Sequence, residues 1–238
     1  MGSWYLQGMA GLRYVLAAAM FVASFTVAGS ASGSVSPGQA LSSALSAART
    51  QKSVHYVSVQ AGSGVRVAMV GDAGITEGRQ LITFQKGSQV GHVTVLVVAN
   101  TAYVRGDVFT LMNYMGFPAA TAAAMAGRWL QLAHTAPDFA TVAAGVRLVS
   151  TINEISMERP LNSLGVSTVR GQQVLGLRAH ETHAGKTATD TLYIRDTGTP
   201  LPVEQIVTLG KTVPLDVVFD RWNEPVALAV PKNAISLS

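Results

Sequence analysis

Residues 91–100 read GHVTVLVVAN, and residues 101–117 read TAYVRGDVFTLMNYMGF. The first stretch is apolar on both faces of a strand, with Val93, Val95 and Val97 opposite Leu96 and Val98. A strand with one face in water alternates apolar and polar residues, so this pattern predicts a strand inside a sheet that is covered on both sides. The second stretch predicts one more strand, which turns at residues 105–107 into an apolar helix. The chain is therefore expected to pass directly from its sheet into a helical cover.

Short alternating segments separated by glycine-rich turns surround this stretch and predict antiparallel hairpins. Five strand candidates precede residue 107, at 53–60, 64–71, 78–85, 90–100 and 101–106. Six more follow Leu161, at 165–171, 172–184, 187–196, 201–210, 213–222 and 225–231. A sheet of this many strands does not stay flat, so we expect it to curl strongly.

Helical patterns occur before the strands and in the middle of the chain. Ser36 and Pro37 are typical of an N-cap and a first helical position, and they predict a helix to about Gln51. Asp107 is expected to cap the first helix of an insert at about 107–160, the one long stretch without strand character. The predicted fold class is α+β: a strongly curled antiparallel sheet whose concave face is covered by helices, an arrangement that can enclose a cavity. Residues 37–238 are expected to form a single domain.

The first 30 residues have the pattern of an export signal. Residues 14–27 (YVLAAAMFVASFTV) form an apolar run of signal-peptide length, and small residues follow it. The run is shorter than the roughly 20 residues that span a bilayer, so we expect a cleaved signal peptide, with an uncleaved membrane anchor as the alternative. Residues 31–36 are interpreted as a linker, and the domain is expected outside the cytoplasmic membrane, either secreted or held in the cell envelope.

Composition excludes several classes of function. The chain has 238 residues, of which 48% are hydrophobic and 13% charged, a low charged share for a soluble domain. Its formal net charge is +4, but the basic residues are scattered, so no nucleic-acid partner is predicted. The chain contains no cysteine, which excludes disulfides, thiolate metal sites, thiol catalysis and acylation of a lipoprotein cysteine.

Two short motifs suggest other activities, but each has a simpler structural interpretation. Arg105-Gly106-Asp107 matches an adhesion triplet, although a strand end, a turn and a helix cap explain it. His180, Glu181 and His183 lie in a predicted strand at a spacing that sends the two histidines to opposite faces, so no metal site is predicted. No G-x-S-x-G elbow occurs. We therefore predict no catalytic residue and no cofactor, and consider a hydrolase the least favoured alternative.

The order of four motifs identifies a resemblance. The motifs are Tyr103–Asp107, Arg128–Leu132, Leu201–Leu209 and Phe219–Pro231. In this order they resemble the LppX/LprAFG family of actinobacterial envelope lipoproteins, whose fold is similar to that of the lipoprotein carriers LolA and LolB and the sensor domain of RseB. The resemblance implies a LolA-like half-barrel that binds or carries a lipid, a glycolipid or a lipoprotein at the membrane surface. This chain departs from the family because it lacks the acylated cysteine.

Alternation along the strands and helices then predicts which residues line the cavity. The predicted lipid-cavity residues are Val67, Met69, Ile82, Phe84, Val95 and Val97 on the sheet, with Leu111, Met115 and Met125 on the helical insert. Methionine adapts its shape to irregular apolar surfaces, which suits a variable ligand. None of these positions is a carboxylate or a histidine, which favours carriage of a ligand without catalysis. The alternative is an RseB-like module of the same fold that binds an envelope protein through an exposed apolar patch on its convex side.

Overall fold

The computed structural model of the chain describes residues 35–237 apart from residues 63, 114, 184–185 and 210–213. The side chains of residues 181–183 and 186 are also outside the description. The predicted signal or anchor segment, residues 1–30, and most of the predicted linker lie outside the described residues.

Among the residues that the structure describes, twelve strands form one sheet. Their bounds are β1 Ser53–Gly62, β2 Val65–Gly74, β3 Gly78–Lys86, β4 Gln89–Val98, β5 Thr101–Gly106, β6 Leu130–Ala133, β7 Asn162–Val169, β8 Gln172–His183, β9 Lys186–Arg195, β10 Pro202–Leu209, β11 Leu215–Asp220 and β12 Ile235–Ser236. The strand order is β12-β6-β5-β4-β3-β2-β1-β11-β10-β9-β8-β7, so the sheet is open, with β12 and β7 at its edges. Every neighbouring pair is antiparallel except β12 and β6, which are parallel.

The predicted meander is confirmed for ten of the eleven strand candidates, and two segments differ from the prediction. Residues 225–231 form no strand, because they lie in an irregular segment between β11 and β12. Within the insert, Leu130–Ala133 is a strand, because its backbone pairs with β5 on one side and with the C-terminal β12 on the other. A four-residue strand carries too little alternation to be recognised from the sequence.

The first helix, α1, spans Pro37–Arg49 and begins as predicted. The Ser36 hydroxyl accepts a hydrogen bond from the Gln39 backbone N–H at 3.3 Å, and the Gln39 side chain accepts one in return from the Ser36 backbone N–H at 3.1 Å. This reciprocal capping box satisfies backbone donors that a helix otherwise leaves unpaired. Ala40, Ala44 and Ala48 form the buried face of the helix.

The insert contains four short helices, α2 Val108–Asn113, α3 Ala119–Met125, α4 Phe139–Ala143 and α5 Leu148–Asn153, with a 3-10 turn at Ala144–Val146. Glycine and proline at 116–118 separate α2 from α3, as the sequence predicts. Among the described residues, no helix is long and apolar enough to cross a membrane.

Three groups of buried side chains make up the interior. The α1 core joins α1 and α5 to β1, β8, β9 and β11, and it includes Ala44, Val54, Tyr56, Ile152, Leu177, Leu192 and Phe219. The wall core joins β2–β6 to α4 and the 3-10 turn, and it includes Val67, Ile82, Phe84, Val93, Val95, Val97, Val104 and Val146. The α2–α3 core consists of Leu111, Phe117, Ala122 and Leu130. The fold class predicted from the sequence, an α+β fold with helices covering one face of a large antiparallel sheet, is confirmed.

The two faces of β4 differ more than its sequence predicts. Val93, Val95 and Val97 are 0–4% exposed on the face covered by the insert. On the opposite face Val98 at the end of the strand is buried, Leu96 is half-buried, and Val90 near the start of the strand is exposed. The prediction that β4 lies inside the sheet is confirmed, whereas the prediction that both of its faces are covered is correct at the end of the strand and wrong at its start.

Candidate functional site

The candidate site is the inner face of β2–β5, where the strand register places apolar side chains in rows. Val95 pairs with Val104 of β5 on one side and with Gln80 of β3 on the other. Residues directly opposite each other in antiparallel strands point to the same face, so each row crosses the sheet on its inner side. The neighbouring row contains Ile82, which pairs with Val93 and with Met69. A continuous apolar wall results.

The structure brings the six predicted sheet residues together on this wall. Val67, Ile82, Phe84, Val95 and Val97 are buried members of the wall core, and Met69 is partly buried against both the wall core and the α1 core. On the insert, Leu111 lies in the α2–α3 core, and Met125 packs against it. Met115 contacts the wall core and the α2–α3 core. Two of the predicted methionines therefore lie at junctions between apolar groups, where an adaptable side chain can follow a change of shape.

Insert side chains cover the wall. The Phe109 ring of α2 packs against the Phe84 ring, with 5.7 Å between centroids. Phe139 and Val142 of α4 and Val146 of the 3-10 turn contact the same surface. The wall side chains named above are buried under this insert, so in this conformation apolar packing occupies the space between the sheet and the helices. A ligand at the wall requires the insert to move outward.

Two linked hydrogen bonds hold the 3-10 turn against the wall. The Tyr56 hydroxyl of β1 donates a hydrogen bond to the Gly145 carbonyl at 2.5 Å, and the Gln80 amide donates to the Tyr56 hydroxyl at 2.6 Å. The Tyr56 ring lies over Gly71 of β2, where a Cβ atom would be 2.5 Å from the ring. Because buried polar groups are costly when unpaired, this contact favours the closed position of the insert.

The backbone of the insert is also in direct contact with the backbone of β3. A Cβ atom at Gly78 would overlap the Val146 carbonyl oxygen and lie 2.8 Å from its carbonyl carbon. The residue after the turn, Arg147, pairs with Gly74 in an isolated parallel bridge. Glycine at position 78 therefore determines how closely the turn packs on the sheet.

Several wall residues were missed by the sequence-based prediction. Val93 and Val104 are fully buried in the wall core, and Phe109, Phe139 and Val146 cover it. Val93 could have been predicted as a wall residue, because it alternates with Val95 and Val97 along the same strand. No sequence signal indicated Tyr56 or Gln80, because their role depends on a contact with a turn about 90 and 65 residues further along the chain.

The motifs at residues 105–107 have structural roles. The Arg105 guanidinium lies 5.2 Å from the centre of the Trp129 ring. The Asp107 carboxylate caps α2, since Oδ1 accepts from the Thr110 backbone N–H at 2.8 Å and Oδ2 from the His92 backbone N–H at 2.6 Å. Burial alone would raise the pKa of Asp107, but these hydrogen bonds outweigh it and hold the pKa below its ordinary value.

A small polar cavity of about 70 Å³ lies on the outer face at the opposite end of the strands. Asp72 of β2 lines this cavity, with His55 Nδ1 at 2.6 Å from Oδ1 and Arg79 Nε at 2.6 Å from Oδ2. Burial would raise the pKa of Asp72, but hydrogen bonds from His55 and Arg79 together hold it below its ordinary value. Each group is satisfied by its neighbour, so this cluster acts as a structural tie between three strands.

The histidines considered for a metal are placed on β8. The His180 ring lies 3.2 Å from the Thr189 hydroxyl across the strand pair, while the side chains of Glu181 and His183 lie outside the description. Over the described part of the chain, no three metal-ligating side chains converge.

No protein-family model matches the sequence, and no curated protein matches it in a sequence search. Solved structures do match. The structure of LprF from Mycobacterium bovis aligns with a TM-score of 0.54 and 16% identity, over 84% of this chain and 99% of LprF. The Mycobacterium tuberculosis lipoprotein LppX aligns with a TM-score of 0.50 and 15% identity, over 80% of this chain and 96% of LppX. At this level of identity the similarity concerns the fold, and it confirms the resemblance inferred from the four motifs: the chain has the fold of LprF and LppX.

Proposed function

We propose that the protein binds or carries a lipid in the cell envelope, with the acyl chains between the inner wall and the insert. The observation that carries this proposal is the wall itself, a continuous apolar surface across four strands that only short helices cover. A core that only stabilises the fold does not need a cover that can move, whereas the binding site of a lipid carrier does. The fold shared with the lipoprotein LppX supports the same function.

The proposed mechanism is partition without bond chemistry. Each methylene that leaves water for an apolar site contributes roughly 0.8 kcal/mol, so two acyl chains provide ample affinity. That gain must offset the cost of moving the insert, which includes the hydrogen bond from Tyr56 to Gly145. Met69 and Met115, at the junctions between apolar groups, can repack around chains of different shape. We infer that the protein works outside the cytoplasmic membrane, released or anchored by its N-terminal segment.

Native mass spectrometry tests this proposal. The full-length gene is expressed in an actinobacterial host, the exported protein is purified without detergent, and bound molecules are extracted and identified. We expect a stoichiometric lipid. Val95→Thr combined with Val97→Thr keeps the side-chain shape but adds two hydroxyls to the wall, and it should reduce lipid occupancy about tenfold or more.

A matched control uses the outer face. Val70 on β2 is 43% exposed, and Val166 on the edge strand β7 is 57% exposed. Val70→Thr combined with Val166→Thr makes the same chemical change away from the wall and should leave occupancy unchanged. An equal loss of lipid occupancy in both double variants contradicts the proposal. So does a parent protein that contains no lipid and takes up no fluorescent lipid.

A second candidate function is supported by the outer face of the sheet. Val70 and Leu81 are neighbours across β2 and β3, 43% and 46% exposed, and half-buried Val57 pairs with Val70. This exposed apolar patch and the closed wall are what an RseB-like protein-binding module would have. Val70→Asp together with Leu81→Asp would abolish binding of an envelope protein and leave lipid occupancy intact, which separates the two functions.

A further inference from the structure

One end of the sheet combines exposed basic and apolar side chains. The β1–β2 and β3–β4 hairpins and the β5–α2 connection meet there. We call this surface the basic rim, and it consists of Arg66, Lys86, Val90, Arg105, Val108, Met112 and Arg128. Strand register places Arg66 and Val90 on the same row, with Gln85 between them. The loop from β1 to β2 and the turn from β3 to β4 extend from this same end.

The basic rim carries a net positive charge. Between residues 65 and 133 the chain contains three acidic residues, Asp72, Glu77 and Asp107. Asp72 and Glu77 lie at the opposite end of the strands, where Asp72 bonds to Arg79. Asp107 lies near the basic rim, and its carboxylate, which accepts hydrogen bonds from the backbone of Thr110 and His92, offsets one of the four positive charges. Within the described residues, none of the four basic side chains forms an ion pair.

The apolar members of the basic rim are displayed on α2 and the start of β4. Val90, Val108 and Met112 are 39–52% exposed. Val108 and Met112 are four residues apart in α2, so they lie on one face of that helix. The start of β4 lies against α2, because Asp107 bonds to the His92 backbone. Exposed apolar side chains surrounded by lysine and arginine are typical of proteins that lie on an anionic membrane surface.

The same short helix also reaches the candidate site. Phe109 of α2 packs on Phe84 of the wall, and Leu111 is fully buried in the α2–α3 core. Outward residues of α2 therefore belong to the basic rim, while its inward residues cover the interior. A bilayer in contact with Val108 and Met112 would be separated from the wall core by the thickness of this one helix.

We propose that the basic rim docks on a bilayer surface rich in anionic lipid, and that lipid enters or leaves the interior past α2. The proposal rests on the lipid-binding function inferred above and adds the partner surface and the route. Arg66, Lys86, Arg105 and Arg128 attract the headgroups, and the exposed side chains of α2 insert at the headgroup–acyl boundary. Each basic residue near an anionic surface adds to the attraction, and the attraction weakens with salt.

Vesicle co-sedimentation tests the charge contribution. The purified protein is mixed with phosphatidylcholine vesicles that contain either no phosphatidylglycerol or about 30 mol% of this anionic lipid. We expect binding to the anionic vesicles and not to the neutral ones. Arg66→Glu with Lys86→Glu should weaken that binding about 30-fold or more. Arg49→Glu with Lys52→Glu makes the same change of net charge at exposed positions just before β1, at the opposite end of the strands, and should reduce binding far less.

A second pair of variants tests the apolar contribution. Val108→Ser with Met112→Ser should lower binding to anionic vesicles, whereas Val149→Ser with Val230→Ser, at residues that are 51% and 55% exposed elsewhere, should not. Equal binding to neutral vesicles, or equal losses in the control pairs, overturns the proposal. So does an absence of vesicle binding, which would favour an acidic protein partner instead. Lipid occupancy is measured on the same preparations, so that failure of docking can be distinguished from failure of lipid binding. A protein that contains bound lipid but does not bind vesicles contradicts the docking proposal alone.

Discussion

Gly78 provides a direct test of how closely the insert packs on the sheet. A Cβ atom at this position would lie 2.8 Å from the Val146 carbonyl carbon and 2.9 Å from the Asp72 carbonyl oxygen, where ordinary contacts begin at 3.4 Å. Both neighbours are backbone atoms, so no side chain can rotate away. In Gly78→Ala the 3-10 turn must withdraw by more than half an ångström, and the hydrogen bond from Tyr56 to Gly145 lengthens with it.

The expected cost of Gly78→Ala combines two effects. Overpacking costs about 1–3 kcal/mol, and a weakened buried hydrogen bond costs about 1–3 kcal/mol when its groups stay buried. We expect a loss of about 3 kcal/mol, which lowers the urea midpoint by about 1 M for a denaturant slope near 3 kcal/mol per molar. Urea unfolding followed by tryptophan fluorescence measures this shift.

The matched control for Gly78→Ala is Gly62→Ala. Gly62 ends β1 with no atom within 4 Å of an added Cβ, and its φ angle is not in the positive range. Alanine there restricts the unfolded chain and should leave stability unchanged or raise it by as much as about 1 kcal/mol. Equal stability of the Gly78→Ala variant and the parent would refute the close contact between the turn and β3, and with it the description of the insert as a tight cover.

Three further predictions concern single side chains. Ser36→Ala removes the capping box and should cost about 1 kcal/mol in thermal unfolding, while Ser43→Ala on the exposed face of α1 should not destabilise the protein. Tyr56→Phe leaves the Gly145 carbonyl unpaired, so it should cost about 1–3 kcal/mol and accelerate hydrogen exchange in the insert; unchanged exchange at residues 139–153 would contradict the fastening role. Asp72→Asn should cost about 2 kcal/mol at pH 7. The pKa of Asp72 in the folded protein lies below its ordinary 3.8, so the carboxylate contributes its full stabilisation above that value and loses it as the pH falls through the folded pKa. The free energies of unfolding of the parent and of Asp72→Asn should therefore converge in acid. A difference that stays constant with pH would refute this.

Local signals in the sequence were sufficient for most elements of the fold. Alternation and glycine turns located ten strands, and Ser36 and Asp107 located two helix starts, because hairpins and caps depend on residues a few positions apart. The β6–β12 pair was missed because it joins residues more than 100 positions apart, and neither strand alternates for long. Residues 225–231 have strand composition, but they do not pair.

The candidate site could be predicted in part for the same reason. Once a strand is located, alternation places Val95 and Val97 on one face, and the structure brings them together with the other predicted sheet residues. The fastening of the insert by Tyr56 and Gln80 depends on the tertiary position of one turn, which no local pattern encodes. Whether the wall residues contact a ligand remains a prediction for experiment.

Photocrosslinking at residue resolution shows directly whether an acyl chain lies between the wall and the insert. The purified protein is incubated with a phospholipid that carries a diazirine in one acyl chain, illuminated, digested and mapped by mass spectrometry. We expect crosslinks on inner residues of β2–β5 and on the insert, such as Ile82, Val95 and Met115, and none on Val70 or Leu81 of the outer face. Crosslinks confined to Val70, Leu81 and their outer neighbours would contradict lipid binding at the wall.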